Sequence, residues 1–250
     1  MRLLLSRVST IKFRHQIMTN PNIILAGYLA GAADYIPIAQ KLQAKNLEAT
    51  VVPLHWWDWV PTVGGRSIAP ILERLDQTVN QELDRTGATK VNIIAHSAAG
   101  WLSRIYLGDR PYYDKVWNAR AKVAKLICLG TPQRSLEPWA IRNLGFVNDQ
   151  YPHAFYDDID YVCIAGKAVQ GAKSLWQKSL GQSFSQWLAY SSYELTSGQG
   201  DAWGDGIIPI EAAYLDGATN LAIDGVYHSP RSGKWYGTQE VVDIWASYLL

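Results

Sequence analysis

The chain has 250 residues, 48% of them apolar and 18% charged, enough for one large domain with a substantial core and too apolar for a disordered protein. Its formal charge of +1, with no long run of one sign, argues against nucleic acid or an acidic membrane surface as the main partner. The two cysteines, Cys128 and Cys163, lie inside apolar runs and read as buried packing residues in a reducing compartment, not as a disulfide framework or a metal site.

Residues 1–17 carry Arg2, Arg7, Lys12 and Arg14 and no acidic residue, and the run Leu3-Leu4-Leu5 is too short for a secretory core. A basic, acid-poor start fits a transit peptide and an organellar destination. Met18, however, leads straight into the first strong strand, and residues 1–20 are read here as a disordered or over-extended tail on a cytoplasmic protein. Without residues 1–17 the net charge moves from +1 to −3.

Residues 21–250 read as one α/β domain. The first strand spans Asn22 to Ala26 and ends at Gly27-Tyr28. A helix over about 34–45 puts Ile36, Ile38, Ala39 and Leu42 on one side, and a strand follows over 49–53. The spacing of Ile68, Ile71, Leu72, Leu75 and Val79 predicts a long helix over 67–86. Val91 begins another strand, which stops at Ser97 and gives way to a helix from Trp101 to Leu107. Further strands are expected over 123–129, 161–165 and 220–223, and a last helix over 238–250. Alternating strands and helices imply a mostly parallel sheet covered on both faces, with sites at the carboxyl ends of the strands. Two aromatic-rich stretches, 133–160 and 167–200, look irregular and are candidate lid segments. No segment is apolar for long enough to span a membrane.

The chemistry is written most clearly at Val91-Asn92-Ile93-Ile94-Ala95-His96-Ser97-Ala98-Ala99-Gly100. A strand, a sharp turn and a helix in succession expose the Ser97 hydroxyl at the strand's carboxyl end, beside helix amides that can receive an oxyanion. A nucleophilic serine needs a histidine to take its proton and an acid to orient that histidine. His15 lies in the tail, His96 should point away from its neighbour, and His55 and His153 lie in loops without a matching frame. His228, on a loop before the last helix, is the candidate base. Asp205, in Gly204-Asp205-Gly206-Ile207-Ile208-Pro209, is the candidate acid, presented by a tight turn; Asp201 is its main rival, and Asp224 is closer to His228 in sequence. The glycine-rich stretches lack phosphate-loop spacing, and no histidine–carboxylate cluster has metal spacing. Trp56, Trp57 and Trp59 either wall an acyl pocket or pin their loop to the domain, packing being slightly favoured. Trp101 reads as core, and the segments 108–111 and 229–234 read as exposed turns.

Four segments together resemble the α/β-hydrolases of the lipase/esterase kind: Leu25-Ala26-Gly27-Tyr28, Ala95-His96-Ser97-Ala98-Ala99-Gly100, Leu129-Gly130-Thr131-Pro132, and Gly204 to Pro209 followed by His228. The order Ser97, Asp205, His228 is the order of that fold. The chain departs from the usual elbow at Ala95 and Ala99, where two glycines are common; small side chains are needed there because strand and helix cross closely. The resemblance implies oxyanion donors in the backbone amides of Ala98 and Tyr28. It implies hydrolysis of a carboxylic ester of a small molecule or lipid through an acyl-enzyme, with lipid-like or medium apolar acyl groups, transient contact with a membrane surface, and no cofactor. An acyltransferase or thioesterase would use the same three residues, and a hydrolase-fold protein that only binds an apolar ligand is a third reading.

Overall fold

A computed structural model describes residues 20–173 and 180–250. In chain order these form β1 (Asn22–Leu25), α1 (Ile36–Gln43), β2 (Ala49–Val51), α2 (Ala69–Thr86), β3 (Val91–His96), α3 (Ala99–Leu107), β4 (Val123–Leu129) and α4 (Pro138–Gln150). There follow β5 (Asp160–Lys167), β6 (Val169–Gln170), α5 (Leu180–Ser197), β7 (Trp203–Gly204), α6 (Ile210–Ala213), β8 (Thr219–Asp224) and α7 (Gln239–Trp245). Most of the N-terminal tail and residues 174–179 of the second candidate lid segment lie outside the described residues.

Strands β2, β1, β3, β4, β5 and β8, in that order, make one sheet in which every neighbouring pair is parallel. Successive side chains of a strand point to opposite faces, so each central strand feeds two cores. Ile23, Leu25, Ile93, Ala95, Leu126 and Cys128 face the larger one, against α2 and α3. Ile24, Ile94, Ile127, Leu129 and Val162 face the other, against α1 and α7. This is why the strands read as continuous apolar runs without alternation. Cys128 and Cys163 are free, buried and in register on β4 and β5.

The periodicity of α2 holds: Ile71, Leu72, Leu75 and Val79 are all buried. Other expectations need correction. Residues 133–160 are not irregular throughout, since α4 seats Leu144 and Val147 in the larger core. Residues 167–200 contain α5, which buries Ala189 and Tyr193 against Val169. The last helix is shorter than expected and ends in a 3-10 turn over Ala246–Leu249. Among the described residues, no helix is long and apolar enough to cross a membrane.

Candidate active site

The site lies at the carboxyl ends of β1, β3, β4 and β5. Strand β3 ends at His96, and the next residue, Ser97, has φ of +55°. A non-glycine residue in that region carries roughly 1–3 kcal/mol of strain, held here by the surrounding structure. The Ser97 N–H donates to the Leu129 carbonyl (2.9 Å), and Ala98 is the N-cap of α3. The serine thus stands on a turn between a buried strand and a buried helix, which fixes where its hydroxyl points.

Ser97, His228 and Asp205, far apart in the chain, meet here. Ser97 Oγ is 3.0 Å from His228 Nε2, and His228 Nδ1 is 2.7 Å from Asp205 Oδ2. A carboxylate only accepts, so Nδ1 carries the proton and Nε2 presents its lone pair to the serine hydroxyl. Asp205 is 2% exposed. Its burial is compensated by four donors: the Ile207 and Ile208 amides on Oδ1, and the Tyr236 hydroxyl and His228 Nδ1–H on Oδ2. The His228 N–H also donates to the Asp205 carbonyl (3.0 Å), so acid and base are tied through backbone as well as side chain.

The acid loop is anchored by the short antiparallel pair of β6 with β7. Gly130 follows β4 with φ of +57°, and a Cβ there would stand 2.7 Å from Tyr236 Oη and 2.9 Å from Asp205 Oδ2. Only glycine leaves room for the acid at this point. Burial pushes the Tyr236 phenol well above its ordinary pKa, with the Asp205 charge adding to it, so the hydroxyl stays a donor. The rival acids do not join the site: Asp201 is exposed, and Asp224 is exposed and pairs with Lys167 (3.4 Å).

Tyr28 sits beside Ser97 in a cleft of about 230 Å³ that Leu29, His228, Pro230 and Arg231 also line. Residues 229–231 form a turn, closed by the Ser232 N–H on the Ser229 carbonyl (3.0 Å), that borders the cleft. The tryptophan run divides. Trp59 is fully buried, donates its indole N–H to the Ala30 carbonyl (3.0 Å) and meets the Tyr28 ring edge-on at 5.4 Å, so it braces the loop after β1. Trp56 and Trp57 are more than half exposed and do not line the cleft. A larger hollow of about 500 Å³ between Tyr156, Asp160 and Tyr248 lies at the opposite end of the strands. Among the described residues, no three His, Cys, Asp or Glu side chains gather so as to hold a metal ion.

His96, expected to point away from Ser97, makes its contacts with Tyr35 and His228. Its ring centroid is 4.7 Å from that of His228, and Nε2 reaches the His228 carbonyl (3.1 Å). Tyr236 and Tyr35, absent from the sequence reading, also belong to the site's support. The signal for His96 is present in β3: it shares a face with Ile94, the face turned toward α7 and the loop that carries His228.

A parallel sheet in this strand order, with a positive-φ serine between β3 and α3, is an α/β-hydrolase fold. No protein-family model and no curated protein matches the chain. Solved structures similar to it include the product of the gene lin2722 of Listeria innocua, at a TM-score of 0.49 and 13% identity over 93% of this chain and 94% of that one. Lipase B of Aspergillus fumigatus has a TM-score of 0.39 and 11% identity over 58% and 37% of the two chains. A pyrethroid hydrolase of Sphingobium faniae JZ-2 has 0.34 and 20% over 47% and 42%. The chain thus spans less than half the length of the last two.

Proposed function

We propose that the chain is a serine hydrolase of carboxylic esters with lipid-like or medium apolar acyl groups. The observation that carries this is the hydrogen-bonded line from Ser97 Oγ through the His228 imidazole to the buried Asp205 carboxylate, at 3.0 and 2.7 Å. Ser97 Oγ attacks the ester carbonyl while His228 Nε2 takes its proton. The oxyanion that forms is received by the backbone N–H groups of Ala98 and Tyr28, each worth about 3 kcal/mol of barrier. The tetrahedral centre collapses and breaks the C–O bond to the alcohol, to which His228 returns the proton. Water, deprotonated by His228, then attacks the acyl-enzyme, and the acid leaves as Ser97 recovers its proton. Asp205 holds the histidine tautomer throughout and stabilises the imidazolium. The scheme calls on no metal or organic cofactor.

The cleft supports a modest acyl group. At about 230 Å³ it is smaller than the roughly 300–1,000 Å³ pockets that enclose drug-sized ligands. A longer chain would run outward past the half-exposed Leu29. Ser97→Ala is expected to abolish hydrolysis of short nitrophenyl esters, by roughly 10⁶-fold in kcat. Turnover by this variant at the wild-type rate would overturn the proposal.

A further inference from the structure

His96 is 4% exposed and sits directly behind His228, yet the ester-hydrolysis scheme gives it no task. Its hydrogen bonds have only one consistent direction. Nε2 lies 3.1 Å from the His228 carbonyl oxygen, which can only accept, so Nε2 carries the hydrogen. Nδ1 is then a lone pair, 2.7 Å from the Tyr35 hydroxyl, which must donate to it. The Tyr35 oxygen in turn accepts the Gly27 N–H at 3.1 Å. A directed line therefore runs from Gly27 N–H to Tyr35, from Tyr35 to His96, and from His96 to the backbone of His228. One end is the residue preceding Tyr28, the proposed oxyanion donor. The other is the proposed base.

The packing leaves this line no slack. A Cβ at Gly27 would come 2.9 Å from His96 Nδ1 and 3.1 Å from Ser97 Cβ, so glycine is required where the loop crosses the imidazole. The His96 ring is enclosed by those of Tyr35, Trp235, Tyr236 and His228, at centroid distances of 5.7, 6.0, 5.6 and 4.7 Å. Burial, reinforced by the neighbouring His228, holds the His96 pKa well below the usual imidazole range. It stays neutral and keeps its one donor and one acceptor at opposite edges of the ring. Burial likewise pushes the Tyr35 phenol up, so it stays a donor.

We infer that His96 is a positioning residue that locks the loop carrying the base to the loop carrying the oxyanion donor, with Tyr35 setting its tautomer. This rests on the esterase reading of Ser97. When His228 becomes a cation, its main chain is held by His96 and its side chain by Asp205. Both ends of the developing charge separation are thus held in one frame before the substrate arrives. A phenylalanine at 96 would fill the space and leave the His228 carbonyl, the Tyr35 hydroxyl and, through it, the Gly27 amide without their line.

The test is steady-state ester hydrolysis, with kcat expressed per active site titrated by a fluorophosphonate, for His96→Phe, His96→Gln, Tyr35→Phe and the double variant Tyr35→Phe/His96→Phe. Normalising to titrated sites removes any loss that comes only from misfolded protein. Expected are a fall in kcat of roughly a hundredfold for His96→Phe and roughly tenfold for Tyr35→Phe, with KM little changed. His96→Gln, which keeps a donor and an acceptor, should recover part of the loss. The double variant should be no slower than His96→Phe alone, because both changes cut one line. Should His96→Phe fail to fold, Tyr35→Phe and His96→Gln still decide the matter. Wild-type kcat per titrated site across the set, or losses that multiply in the double variant, would overturn the inference. Absence of labelling in the wild type would instead overturn the esterase reading beneath it.

Discussion

Tyr236 is buried against the acid and gives its hydroxyl hydrogen to Asp205 Oδ2 (2.8 Å) while accepting the Gly166 N–H (2.8 Å). Oδ2 is the same oxygen that His228 uses, so Tyr236 fixes the direction from which the carboxylate meets the imidazole. Replacing Tyr236 by Phe removes one donor from a buried carboxylate and orphans the Gly166 amide, at a cost of about 1–3 kcal/mol. Part of that should appear in catalysis: kcat for a nitrophenyl ester should fall about tenfold, with KM unchanged. Wild-type kcat in Tyr236→Phe would mean that the two amides on Oδ1 suffice to hold Asp205.

At the level of elements, α3 carries an arginine whose guanidinium meets no carboxylate among the described residues. Arg104 is 2% exposed and donates to Gln133 Oε1 (3.0 Å), Asn148 Oδ1 (3.2 Å), the Tyr151 carbonyl and, at 3.5 Å, the His153 carbonyl. Tyr151 is the C-cap of α4, so the charge faces the negative end of that helix and joins α3 to α4. Burial lowers the Arg104 pKa from its ordinary value without a carboxylate to oppose it. Arg104→Met should leave those acceptors unsatisfied and destabilise the protein by about 2–4 kcal/mol, read as a lower urea midpoint. An unchanged midpoint would show that α4 docks through Leu144 and Val147 alone. Helices α4 and α5 are the elements whose sequence pattern conceals them. The inner side of α5 is Ala189, Tyr193 and Thr196, while Phe184, Trp187, Leu188 and Leu195 are exposed, so no apolar stripe marks its core face. The inner side of α4 mixes Asn143 with Leu144 and Val147, which blurs the helical period. By contrast α2, with its regular apolar spacing, and the β-branched central strands were legible, because burial there repeats at the period of the element. Ser97, Asp205 and His228 were legible as turn residues at the ends of apolar runs. Tyr35 and Tyr236 were not, since their partners lie 61 and 31 residues away and no local pattern encodes such contacts; for His96 the alternation of β3 gives the face it occupies but not its partner, 132 residues on.

Across the whole molecule, the buried neutral His96 ties stability to pH. Its folded pKa lies below the unfolded value, so the unfolded chain binds more protons as the medium is acidified. Stability is therefore at its full value above about pH 6.5 and falls as pH drops below that, by about 1.4 kcal/mol per unit for this one group. His228 faces His96 directly, with Asp205 behind it, and remains in place when His96 is changed to Gln. Urea unfolding of wild type and His96→Gln between pH 8 and 5 should show a steeper acid loss in the wild type; parallel curves would contradict a neutral buried His96. Ser97 as the nucleophile is tested most directly by mass-spectrometric mapping of the adduct left by a fluorophosphonate on the intact protein. One adduct, on the peptide bearing Ser97, absent when His228 is replaced by Ala, is the result expected. An unmodified Ser97 peptide under conditions that label other serine hydrolases, or an adduct on a different serine, would contradict it.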